Sequence, residues 1–178
     1  AVNGSIAGIF GASGQSCVAG SRLYLHESIA DEFLDKMLNL ASKIKLGDPL
    51  QEETQMGPLA TLGQMNLIEN EISNAKAQGA KILHGGKRPS NVNGGWFYEP
   101  TIVDCHDQKL KIVDTELFGP VLSVIRFKSE EEVIKLANDT KYGLAAGVFT
   151  KNGARSLRVT KALRAGIVWV NTCLLYTS

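Results

Sequence analysis

The sequence predicts an α/β domain with a largely parallel sheet flanked by helices. Strand-like and helix-like segments alternate almost throughout the 178 residues, the pattern of crossover units. The segment GIVWVN (166–171) carries the signature of a buried strand. No internal repeat, low-complexity tract or linker divides the chain, and its length suffices for one substantial core. Residues 1–172 are therefore expected to belong to one domain.

The elements follow in order. AVNGSIAGIF (1–10) reads as a helix rich in small residues. After a glycine-rich turn, Arg22 to His26 reads as a short strand. Ser28 is expected to cap the next helix, with Asp31 at its third position. Ile29, Phe33, Met37, Leu40 and Ile44 recur at spacings of four and three and predict the stripe that packs on the sheet. LGDPLQEETQMGP (46–58) has loop composition with two prolines. Thr61 opens a helix that Gly79 ends, and a strand from Ala80 to Leu83 follows. A polar loop spans 85–95, and further strands are expected at Thr101–Val103 and Val121–Phe127. Ser129 and Glu132 form a capping box for a helix through Ala137. A strand from Leu144 to Phe149, a helix from Ala154 to Leu163 and a strand from Ile167 to Val170 complete the series. In sheets of this kind, sites are expected at the carboxyl ends of the strands.

Composition narrows the function. Nineteen basic and eighteen acidic residues leave a net charge of +1, so neither a nucleic acid nor a membrane surface is an expected partner. No apolar run reaches the length of a membrane span. Three widely separated cysteines (Cys17, Cys105, Cys173) argue against a disulfide framework and for a reducing, cytoplasmic setting. His26, His84 and His106 share no ligand spacing with them, so no metal site is expected.

Cys17 lies in GQSCVAGSR (14–22), where glycine, serine and alanine replace the apolar neighbours of a packed thiol. A thiolate nucleophile needs space for a carbonyl and donors for the oxyanion that forms. Gly14 permits a tight turn, the small residues leave space, and the Cys17 amide is a candidate donor. Composition alone leaves both readings of Cys17 open, nucleophile and buried thiol. A cysteine hydrolase or thiol transferase is the alternative enzyme, and it requires one of the three histidines beside the sulfur. In DTELFGP (114–120), Glu116 can accept from sugar hydroxyls and Phe118 can wall a planar ring. A solvated loop carboxylate and a core phenylalanine fit the same residues. Phosphate-binding signals are weak: GAKILHGGK is followed by Arg88 instead of serine or threonine, and GIFGASG lacks G-x-G-x-x-G spacing.

GQSCVAGSR and DTELFGP, about a hundred residues apart, resemble the nucleophile and cofactor segments of the aldehyde dehydrogenase superfamily. GDP (47–49), MGPL (56–59), AKILHGG (80–86), YEPTIV (98–103), YGLAAGVFTK (142–151) and AGIVWVN (165–171) extend the similarity over residues 1 to about 172. The resemblance implies the family's catalytic-domain fold and NAD- or NADP-dependent oxidation of a small-molecule aldehyde to a carboxylic acid. It places Cys17 at the nucleophile, Glu116 at the nicotinamide ribose and Phe118 at the nicotinamide end. Gln64 falls where some members contact the cofactor ribose; T-x-x-Q from Thr61 is also a capping box, the reading favoured here.

The resemblance further implies that the general-base glutamate, a second oxyanion donor and the dinucleotide-binding domain precede Ala1. The parent is then a longer, homo-oligomeric enzyme, and this segment alone is inactive. The terminal CLLYTS (173–178) matches none of the family pattern. The codons TGT-CTC-TTA-TAC-ACA-TCT encode it and match a transposon end used in sequencing libraries, so it is expected to be adapter-derived.

Overall fold

The computed structural model describes residues 1–92 and 94–172, so the expected adapter-derived tail at 173–178 lies outside the described residues. Among the described residues, six helices and six strands form in the order α1 (Val2–Phe10), β1 (Arg22–His26), α2 (Glu27–Ala41), α3 (Leu62–Ala77), β2 (Lys81–His84), β3 (Thr101–Asp104), α4 (Lys111–Asp114), β4 (Val121–Phe127), α5 (Glu130–Asn138), β5 (Ala145–Val148), α6 (Gly153–Ala162) and β6 (Ile167–Val170). A 3₁₀ turn, Gly11–Gly14, follows α1.

The main sheet has the order β1-β4-β3-β2, with β1, β4 and β3 parallel and β2 antiparallel at the edge. β5 and β6 pair in parallel as a separate two-stranded sheet. The α/β expectation and its parallel bias are met, in two sheets.

β4 is central, and its first five residues are all buried. Its alternation divides the core. Val121 and Ile125 face a cluster with Met65, Ile68 and Ile72 of α3 and Ile112 and Val113 of α4. Leu122 and Val124 face the other side, against Ile9 and Phe10 of α1 and Leu34 and Met37 of α2. Each such buried aliphatic side chain contributes about 1.5–3 kcal/mol. The result is a helix–sheet–helix sandwich around β4.

Two local expectations need correction. α2 starts at Glu27, and its cap is His26, whose Nδ1 accepts from the Ser28 amide at 3.2 Å; Asp31 instead pairs with Arg126. The buried stripe of α2 is Ala30, Leu34, Met37 and Ala41, while Ile29 is 50% exposed. Of the expected stripe, Met37 is fully buried and Phe33 and Ile44 pack partly buried against the same cluster, beside the column of Ala30, Leu34 and Ala41. The Ser129–Glu132 cap forms, although the Glu132 carboxylate receives the Lys128 amide rather than that of Ser129. α4, only four residues long, is too short to carry a periodic signal and was not foreseen.

Candidate active site

Cys17 follows the 3₁₀ turn, in the segment that enters β1. Ala12, Ser13 and Gly14 have φ of +49°, +56° and +70°, a left-handed run that reverses the chain after α1. Buried Ser13 anchors it by donating Oγ–H to the Gly57 carbonyl at 2.9 Å. Gln15 fastens the same segment to the 57–60 loop, donating to the Pro58 carbonyl (3.2 Å) and accepting from the Ala60 amide (2.8 Å). The Cys17 side chain is exposed, and no carbonyl among the described residues accepts from its amide. That amide is therefore free to donate to an oxyanion.

Gly14 lies against the Gly119–Pro120 backbone, and a Cβ added at Gly14 would fall inside the Gly119 carbonyl. At this position glycine is required by the close approach as well as by its φ. The contact joins the segment carrying Cys17 to the segment carrying Glu116 and Phe118.

Segment 114–119 is held from two sides. Gln64, on the first turn of α3, donates Nε2–H to the Leu117 carbonyl, while its amide caps on Thr61 Oγ1 at 3.1 Å. The capping reading of Gln64 is thus met in its Thr61 half. The side chain does not turn back to close the box, because it reaches the 114–119 segment instead. Below it, Glu71 of α3, only 3% exposed, receives Lys111 Nζ from the first turn of α4. Its other oxygen has no partner among the described residues. A buried carboxylate is costly unless paired, so this ion pair ties α4 to α3 just before Glu116. From the opposite side, Tyr142 Oη accepts the Glu116 amide at 3.1 Å.

Glu116 is exposed, and its carboxylate makes no hydrogen bond or ion pair among the described residues. Phe118 is 39% exposed with φ of +49°, a left-handed conformation uncommon for a bulky residue. Phe118 is therefore not a core phenylalanine, whereas exposed Glu116 still fits a solvated loop carboxylate, on a backbone held by Tyr142 and Gln64. These residues suit a polyol beside a planar ring, the combination a nicotinamide riboside presents.

The structure corrects the expected location. β1 and β4 are parallel, and both candidate segments enter their amino ends. The links at the carboxyl ends of these two strands are short. β1 runs directly into α2, only Lys128 and Ser129 separate β4 from α5, and His26 Nε2–H donates to the Lys128 carbonyl at 3.0 Å, joining the two caps.

No histidine hydrogen-bonds to Cys17. His26 caps α2, His84 Nδ1 bonds to the Pro100 carbonyl at 2.7 Å, and His106 lies beside Gly79. The described residues thus lack the hydrogen-bonded cysteine–histidine pair that a hydrolase needs. They also contain no group of three or more His, Cys, Asp or Glu placed to hold a metal, and no helix long and apolar enough to cross a membrane. Cys105 is a packed thiol: it donates weakly to the Val103 carbonyl at 3.7 Å, and burial pushes its pKa up to about 11.

The model of the Aldehyde dehydrogenase family matches residues 1–177. The chain belongs to this family. Among similar aldehyde dehydrogenases and related proteins, a (Z)-2-((N-methylformamido)methylene)-5-hydroxybutyrolactone dehydrogenase of Acinetobacter baylyi is 50% identical over 97% of this chain and 35% of its own length. A chloroplastic betaine aldehyde dehydrogenase of Atriplex hortensis is 48% identical over 96% of this chain and 34% of its own. A betaine aldehyde dehydrogenase of Staphylococcus aureus, solved in complex with NAD+, superimposes with a TM-score of 0.94 at 40% identity, covering 98% of this chain and 35% of that one. This segment of the aldehyde dehydrogenase fold therefore spans about a third of the length of its relatives.

Proposed function

We propose that this segment belongs to an enzyme that oxidises an aldehyde to a carboxylic acid with NAD or NADP, and that Cys17 is its nucleophile. The packing of Gly14 on Gly119 carries the reading, because it brings the thiol segment and the Glu116 segment to one place in a chain of this family. NAD+ complexes of similar enzymes support the cofactor, and relatives named for betaine aldehyde and aminoaldehydes support the substrate class.

The Cys17 thiolate attacks the aldehyde carbon, and its amide donates to the oxygen that becomes negative. The resulting thiohemiacetal loses its hydride and becomes a thioester on Cys17. The nicotinamide, when bound, supplies the two-electron acceptor. Water then cleaves the thioester, releasing the acid and restoring the thiol. Glu116 holds the nicotinamide ribose through its hydroxyls, and Phe118 covers the nicotinamide end. Gln64 supports both by fixing the Leu117 carbonyl; a direct contact with the ribose is its secondary reading. Cys17 and Cys105, both free thiols, favour a reducing compartment, for which the cytoplasm is proposed, and the full-length enzyme is proposed to be a homo-oligomer.

The test is NADH formation by a chain of the relatives' full length, offered betaine aldehyde, an aminoaldehyde and a simple aliphatic aldehyde. At least one should be oxidised. Cys17→Ala should lower kcat by at least about a thousandfold while leaving NAD affinity within about twofold. The 178-residue segment by itself should form no NADH. Oxidation retained by Cys17→Ala removes the cysteine from the nucleophile role.

A further inference from the structure

We infer that Tyr142 is a positioning residue for Glu116, setting where that carboxylate meets the cofactor without touching the cofactor itself. The inference rests on the ribose-binding reading of Glu116.

The peptide groups around Glu116 are gripped by two side chains from distant elements. Tyr142 Oη receives the Glu116 N–H at 3.1 Å, and Gln64 Nε2 donates to the Leu117 carbonyl. Two consecutive residues thus have one backbone group each fixed by a side chain, while the Glu116 carboxylate engages no protein partner among the described residues. With no protein partner on the carboxylate, what the protein fixes is the backbone from which the Glu116 side chain reaches, and those two grips set its position.

The segment carrying Tyr142 is itself fastened to the start of the loop. Thr140 Oγ1 donates to Asp114 Oδ1 at 3.5 Å and accepts the Tyr142 amide at 3.3 Å. Lys141 Nζ lies 3.9 Å from Asp114 Oδ2 and 5.2 Å from the centre of the Tyr142 ring, where the cation is attracted to the π face. Residues 140–142 therefore form a strap that engages Asp114 at one point and Glu116 at another, across 26 residues of sequence. A tyrosine held in this way, 37% exposed as a residue, contributes little to the core. Its defined contact to the site is the phenolic oxygen.

The test uses Tyr142→Phe, Glu116→Gln and the double variant in a chain of the relatives' full length, reading the NAD dissociation constant by calorimetry. The rate of iodoacetamide labelling at Cys17 and the melting temperature are followed in parallel. Tyr142→Phe should raise the dissociation constant and the KM for NAD about three- to tenfold, the size of one lost hydrogen bond. It should leave the Cys17 labelling rate and the melting temperature unchanged. The double variant should bind NAD no worse than Glu116→Gln alone, because the two residues act through one contact.

If Glu116→Gln leaves NAD binding unchanged, the ribose role of Glu116 falls and the inference falls with it. If Glu116→Gln weakens binding but Tyr142→Phe does not, the inference alone is overturned. Additive losses in the double variant, or a loss of Cys17 labelling and thermal stability in Tyr142→Phe, also overturn it.

Discussion

Cys17 and Cys105 show how surroundings divide two identical side chains. Cys17 is exposed on a turn among small residues, its amide unclaimed. Cys105 lies in the core between β3 and α3, and burial holds its proton to a pKa of about 11. The thiolate is the reactive form, so peptide mapping after brief iodoacetamide treatment should find Cys17 labelled and Cys105 untouched until the protein is unfolded. Equal labelling of the two would contradict this assignment. The glycine and serine around Cys17 were the local cue in the sequence, and they left both readings of that thiol open. The sequence was silent on Tyr142 and Glu71, whose partners lie 26 and 40 residues away. Contacts of that span leave no periodic or local signature; only the fold creates them.

At the scale of elements, α2 shows where pattern reading goes astray. Its apolar residues occupy two adjacent columns, and the bulkier column (Ile29, Phe33) was expected to face the sheet. The structure buries the column of Ala30, Leu34, Met37 and Ala41. Tight packing of a helix on a sheet selects small side chains at the closest points, which size-weighted periodicity cannot foresee. Ala30→Leu should therefore destabilise the protein by about 1–3 kcal/mol through overpacking, measured by denaturant unfolding. Ile29→Ala should change stability by no more than about 0.5 kcal/mol. The reverse order would restore the column read from the sequence. Strand β4 and the caps at Thr61 and Ser129 were legible, because a long apolar run and a hydroxyl three residues before a polar one are local signals.

At the scale of the molecule, the site's position follows from how the sandwich is connected. Short links with interlocked caps close the carboxyl ends of β1 and β4, and long glycine-containing segments enter their amino ends. The candidate segments lie at the amino ends of β1 and β4 and not at the expected carboxyl ends, where the links of these two strands are short. The two motifs were readable at a distance of about a hundred residues, but their meeting required the parallel pairing of β1 with β4 and the glycine contact at Gly14. In the proposed reaction, this meeting lets a thiol accept an aldehyde and pass a hydride onward, with a thioester on Cys17 as the intermediate. It is tested most directly by acid-quenching a chain of the relatives' full length within the first turnover with NAD and aldehyde, then mapping its peptides by mass spectrometry. An acyl group should appear on the Cys17 peptide, formed in step with the first equivalent of NADH and absent from Cys17→Ala. NADH produced with Cys17 unmodified throughout the first turnover would contradict it.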